Sequence, residues 1–185
     1  MTDTHAFQID DTEFSVCELH PKHTECLQRL FDQCADFAML VEGEEVSPHA
    51  AQEIFQEVPP GKSLSDKFLY GILDRKGNIV GALEGMRNYP DPTSWWIGLL
   101  LLAPNVRGHG LGGKLVRGFS DYVRSQRGAS IMLGVVEENQ AAHLFWHQLG
   151  FDLVRQTEPR RFGKKIQTVR VMRQGLAQEI KERWD

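Results

Sequence analysis

The stretch Ser94 to Asp121, SWWIGLLLLAPNVRGHGLGGKLVRGFSD, constrains the fold more than any other part of the sequence. It opens on a continuous apolar run, Trp95 to Ala103, closed by Pro104 and Asn105. Such a run is too short to cross a bilayer and has the character of a strand buried on both faces. Further on, Leu111, Leu115, Val116, Phe119 and Tyr122 recur at helical spacing, with Lys114, Arg117, Asp121 and Arg124 on the other side. Between strand and helix, residues 108–113 hold four glycines in six positions. Backbone N–H groups without side-chain cover at a helix N-terminus are orphan donors. Together with the positive end of the helix dipole they form an anion site suited to a pyrophosphate.

Three templates share these letters. Gly108 to Lys114 has the P-loop spacing, but Leu115 stands where a Ser or Thr would hold Mg²⁺, so a nucleotide triphosphatase lacks its metal ligand. Gly108-x-Gly110-x-x-Gly113 also fits a dinucleotide fingerprint, with Glu137 near the end of the next strand as the ribose-binding acid. That template, an oxidoreductase, needs consecutive βαβ units. Here the hundred residues before the loop read as two helices and then strands in succession, and the segment after residue 150 reads as a hairpin. The third template is Arg107-x-x-Gly110-x-Gly112 after a strand that closes in x-Pro. Downstream it is joined by Asn139, Ala142, Phe145-Trp146 and Leu149-Gly150-Phe151. In this pattern, from Phe14 to Met172, the chain resembles the GNAT family of acetyl-CoA-dependent N-acetyltransferases.

The resemblance implies acetyl-CoA as cosubstrate, its pyrophosphate on the backbone of Gly108, His109, Gly110, Leu111, Gly112 and Gly113. Arg107 and His109 would supply further donors. The pantetheine arm would run along the backbone near Leu100 and Leu102, which requires the strands 95–103 and 131–136 to part at their C-terminal ends. Asn139 and Trp146 would lie at the cofactor. Many family members carry a tyrosine where this chain has Trp146, and an indole N–H is no practical proton donor. Trp146 is therefore expected to pack against cofactor or core. The implied acceptor is an amine of a small molecule or peptide, and a homodimer is compatible with the family. A CoA-binding sensor or scaffold with little turnover is the alternative that the missing tyrosine leaves open.

The residues themselves offer one general base. Glu84 shares an alternating strand face with Val80, Ala82 and Met86, where burial would raise its pKa toward a useful value. His143 and His147 stand one helical turn apart, but Leu144 replaces the glutamate of a zinc motif and no third ligand is evident, so no metal is expected. Arg160, Arg161, Lys164 and Lys165 make a basic loop whose default is a solvated turn.

The remaining sequence is expected to build one α/β domain over residues 13–175. Its core is a mixed sheet of about seven strands with helices on both faces and a single parallel βαβ crossover. Helices are expected at Thr24 to Leu40, capped by Thr24, and from Ser47-Pro48 to about Phe55, and Gly128 is expected to end the helix after the glycine loop. Leu153–Thr157 and Ile166–Met172 are expected to close as a hairpin through the basic loop. Residues 1–12 read as a mobile tail and 176–185 as an amphipathic one, with Leu176, Ile180 and Trp184 on one face. A net charge of −4 gives no footprint for nucleic acid or an anionic membrane. Three cysteines cannot form a disulfide framework, and with the polar N-terminus they point to a reducing cytoplasm.

Overall fold

The computed structural model describes residues 6–176. Nine strands and five helices follow in the order β1 (Phe14–Glu18), α1 (Thr24–Gln33), α2 (Ala35–Val41), α3 (Ala50–Glu53), β2 (Lys67–Asp74), β3 (Ile79–Met86), β4 (Ser94–Leu102), α4 (Leu111–Ser125), β5 (Ser130–Val136), α5 (Gln140–Gln148), β6 (Asp152–Gln156), β7 (Arg160–Phe162), β8 (Lys165–Gln167) and β9 (Val169–Gly175). Seven strands form one sheet in the order β1-β2-β3-β4-β5-β9-β6, and β7 and β8 form a separate hairpin. Every neighbouring pair in the large sheet is antiparallel except β4 and β5, which α4 connects. This is the expected mixed α/β sheet with one parallel step.

An aromatic cluster seats α4 on the sheet. Phe68 and Tyr70 of β2 and Trp95 of β4 meet Phe119 and Tyr122 of α4, the ring centroids 5.2 to 6.3 Å apart. The opposite face carries α1, whose stripe of Leu27, Leu30 and Phe31 is buried. Gln28 of α1 fastens the next segment, accepting from Ala51 N–H at 3.0 Å and donating to Ser47 C=O at 3.0 Å.

Several local expectations change. The helix read as Thr24–Leu40 breaks at Cys34, whose φ of −104° and ψ of 28° lie off the helix, so it divides into α1 and α2. Thr24 is the first helical residue rather than the cap, and its hydroxyl donates to Pro21 C=O. The second helix is a four-residue turn, Ala50–Glu53. The basic segment is itself the β7–β8 hairpin rather than a loop, and β9 inserts between β5 and β6. Lys165 reaches from that hairpin to Leu40 C=O at 3.0 Å and Glu138 at 2.6 Å, so it clasps the end of α2.

Within the segment read as an N-terminal tail, Phe7 is buried against Tyr70, Phe119 and Tyr122. Asp11 pairs with Lys114 of α4 at 3.0 Å. Leu176 is buried, and the rest of the expected C-terminal amphipathic face lies outside the described residues. Among the described residues no helix is long and apolar enough to cross a membrane.

Candidate active site

The loop after β4 turns twice through glycine. Pro104–Val106 form a single 3-10 turn, after which Gly108 at φ +78° and Gly110 at φ +84° take left-handed backbone conformations. Gly110 is the N-cap of α4, and an L side chain at that φ would cost roughly 1–2 kcal/mol. A Cβ on either residue would meet nothing within 4 Å, so both face open space. Among the described residues the N–H groups of 108–113 donate to no acceptor. Six backbone donors at the N-terminus of a fifteen-residue helix thus lack a protein acceptor. Leu111 is buried in the core and His109 is exposed.

Arg107 is engaged by protein groups on both sides. Its Nε donates to Leu102 C=O at 2.7 Å and its guanidinium pairs with Asp36 of α2. The hydrogen bond from Arg107 holds the Asp36 carboxyl below its usual range and raises the guanidinium in return. The arginine therefore ties the strand end and α2 together. Arg117, one turn into α4, is the cation that borders the loop: a Cβ on Gly113 would lie 3.2 Å from its guanidinium. Sequence alone assigned Arg117 no role beyond the polar face of the helix.

The strands part as the cofactor path requires. Pairing of β4 with β5 runs only from Ser94/Ser130 to Ile97/Leu133, while β4 continues against β3 to Leu102. Residues 98–102, with Leu100 and Leu102, have no strand partner on the β5 side. At the far wall, Asn139 caps α5, its Oδ1 accepting from Ala142 N–H at 3.0 Å. Trp146 is buried, its ring edge-on to Phe145 and Phe151 at 5.0 Å each. It is a core residue, and Phe145 is the side chain that borders Gly112.

Glu84 occupies a bend in the middle of the sheet. Glu84 pairs with Leu99 and Gly85 with Ile97, so Gly98 is an extra residue, a β-bulge. A Cβ on Gly98 would fall on the Glu84 carboxylate, so the carboxylate fills the place that a side chain there would take. The Glu84 side chain is 13% exposed and is ion-paired with Lys67, whose ammonium also donates to Glu57 C=O at 2.8 Å. Burial pushes the Glu84 carboxyl up, and Lys67 opposes that rise in part. Neither Lys67 nor the bulge was read from sequence. A glycine inside an apolar strand was the signal for the bulge.

Two cavities open on this face. One, of about 400 Å³, is lined by Glu57, Lys67, Glu84, Met86, Trp96 and Gly98. The other, of about 230 Å³, lies under α1–α3 against Leu99 and Leu101, and Glu57 lines both. A buried carboxylate of raised pKa, reached from a cavity beside a splayed strand, can accept a proton from a substrate.

A family model described as Acetyltransferase (GNAT) family matches residues 25–151. No curated protein sequence matches the chain. Among solved structures, an acetyltransferase from Thermus thermophilus is 20% identical with a TM-score of 0.73, over 89% of this chain and 98% of that one. Spermidine N-acetyltransferase from Vibrio cholerae, in complex with CoA and spermine, is 17% identical with a TM-score of 0.71, over 91% and 98%. The ribosomal-protein-S18-alanine N-acetyltransferase from Escherichia coli is 12% identical with a TM-score of 0.66, over 93% and 99%. At these identities the likeness is one of fold.

Proposed function

The chain belongs to the GNAT family of acetyltransferases, and from that premise we propose that it moves an acetyl group directly from acetyl-CoA to an amine of a small molecule or peptide in the cytoplasm. One observation carries the reading: six backbone amides at residues 108–113 without a protein acceptor follow a strand whose residues 98–102 have no partner on the β5 side. Acetyl-CoA supplies a thioester whose C–S bond breaks as the C–N bond forms. The amides from Gly108 to Gly113 would hold its diphosphate, with Arg117 beside them as a further donor. The edge at Leu100 and Leu102 would align the arm as an added strand. Arg107 would act on this site through structure, by fixing the loop to α2.

An amine attacks only when neutral, and Glu84 is the group assigned to take its proton. Lys67 keeps that carboxylate oriented over Gly98. The departing thiolate needs little help, since a thiol of cysteine type has a pKa of about 8.5. Trp146 has no part in proton transfer on this reading, in keeping with its core packing. Fold likeness leaves the acceptor open: two of the structural relatives named above act on unlike amines, spermidine and an alanine of a ribosomal protein.

Two measurements test the proposal. Acetyl-CoA at 100 times its Kd should stabilise the protein by about 2.7 kcal/mol, with no comparable effect from NAD or ATP. Free CoA should then be released in the presence of an amine panel. Stabilisation by NAD in place of acetyl-CoA would favour the oxidoreductase template, and binding without any release would favour a CoA-binding module.

A further inference from the structure

From Glu42 to Glu57 the sequence reads EGEEVSPHAAQEIFQE, five glutamates with no lysine or arginine. This segment forms one wall of the smaller cavity, and three of its glutamates, Glu42, Glu53 and Glu57, stand at the lining. The floor beneath them is apolar: Phe31, Phe37 and Ile54 from the helical side, Leu99 and Leu101 from β4. Among the described residues no cation lies within ion-pair distance of those three carboxylates; Lys164, from the hairpin, pairs with Glu44 instead. Lys67 spends its ammonium on Glu84 and on the Glu57 main chain. Burial and then repulsion from Glu44, Glu57 and Glu53 push the Glu42 carboxyl up, the sign of negative charge gathered without a counter-charge.

Resting on the acetyltransferase reading above, we propose that the acceptor is a small aliphatic amine carrying a second positive charge. Its apolar chain lies over Leu99 and Leu101, its distal cation sits among Glu42, Glu53 and Glu57, and its reacting nitrogen is directed to Glu84. Three features choose this occupant. The charge is complementary, because an acidic mouth without cations lowers the free energy of a dication more than that of a monocation. The apolar floor of Leu99 and Leu101 suits methylene groups. The size is right as well: two cavities of about 230 and 400 Å³, both lined by Glu57, are of the order of a small-molecule site of roughly 300–1,000 Å³.

The step is balanced within the proposal. The acceptor arrives as an ammonium and loses one proton to the Glu84 carboxylate or to water. The neutral nitrogen forms the C–N bond as the C–S bond breaks, and the second proton leaves the acylated nitrogen for the departing thiolate or water, giving the amide and CoA. The distal ammonium keeps its proton throughout.

The test compares 1,5-diaminopentane, n-pentylamine, 5-amino-1-pentanol and a short lysine-free peptide with a free N-terminus, each with acetyl-CoA. For the diamine, kcat/KM should exceed that of either monoamine by about tenfold, equivalent to about 1.4 kcal/mol. In the Glu53→Gln/Glu57→Gln double variant that ratio should fall toward one, chiefly through KM for the diamine, and Glu53→Asp should keep most of it. Thermal unfolding of the variant with saturating acetyl-CoA checks that the fold and the donor site persist. Equal use of all three alkylamines, or turnover of the peptide alone, would overturn the inference while leaving the acetyltransferase standing. Binding of acetyl-CoA with no amine used would overturn it too. Failure to bind acetyl-CoA would instead remove the reading on which it rests.

Discussion

At Glu84 two influences of opposite sign meet on one carboxyl: burial raises its pKa and the Lys67 ammonium lowers it, with burial the larger. The consequence for activity has a definite direction. A general base works above its pKa, so on the proposed reading the acid limb of kcat/KM should report Glu84 in the free enzyme. Lys67→Met removes the opposing charge, and the Glu84 pKa climbs further. The acid limb should therefore move to higher pH, and Lys67→Arg should move it back. A pH–rate profile of the three proteins gives the answer, and a limb that stays in place would reduce Lys67 to a strut between β2 and Glu57. The glutamate was legible in sequence because a carboxylate that alternates with Val80, Ala82 and Met86 is out of place on a strand. Lys67 was not, because it meets Glu84 only through the β2–β3 register, which nothing local to either residue announces. Arg107 shows the same limit: its place in the glycine motif was plain, but its commitment to Asp36 depends on how α2 lies against the sheet.

Among the elements, those whose signals are local came through best. The apolar run closed by Pro104, the glycines and the stripe from Leu111 fixed β4, the loop and α4 within a residue or so. Failures came where two local solutions compete. Thr24 to Leu40 keeps helical periodicity throughout, yet the chain breaks at Cys34, where the thiol donates to Leu102 C=O at 3.4 Å and Arg107 crosses to Asp36. The end of α4 slips by one: Arg127, not Gly128, takes the left-handed position at φ 64°. Gly128 is held instead by closeness, since a Cβ there would meet Val123 and the Trp95 indole. The start of α4 gives a test at this scale. Gly110→Ala places a methyl in open space, so any loss of stability comes from backbone strain alone, roughly 1–2 kcal/mol in urea unfolding. The same variant should bind acetyl-CoA more weakly, because relaxing φ reorients the backbone of the proposed cofactor loop. A variant of unchanged stability and affinity would mean that the left-handed cap is not required for the site.

The molecule as a whole is closed by a segment that the sequence left as a tail. A single phenylalanine among polar residues has no periodicity, so nothing in MTDTHAFQIDD marks Phe7 as core. A second signal sat elsewhere, in Gly118, a glycine inside an otherwise well-formed helix. Its reason is long-range: a Cβ on Gly118 would lie 2.5 Å from Gln8 C=O and 3.0 Å from the Ile9 side chain, so α4 is bare where residues 8 and 9 cross it. Two effects then compete in Gly118→Ala. Helix propensity alone would stabilise the protein by about 1 kcal/mol. Seating the methyl requires the main chain of residue 8 to shift, which draws Phe7 away from Tyr70, Phe119 and Tyr122, and full loss of a buried phenylalanine costs roughly 3–5 kcal/mol. The larger effect should win, so Gly118→Ala should destabilise the protein in urea unfolding by about 2 kcal/mol, part of the Phe7 burial being lost. In a Phe7→Ala background the same change has little left to displace, and its sign should reverse toward the helix gain. A stabilising Gly118→Ala in the otherwise unaltered chain would show that residues 6–12 do not hold this position in solution. Because Asp11 from the same segment pairs with Lys114 in the first turn of α4, releasing it should also loosen the helix end that carries the amides proposed to hold the cofactor. Stability and acetyl-CoA affinity should therefore fall together in the single variant.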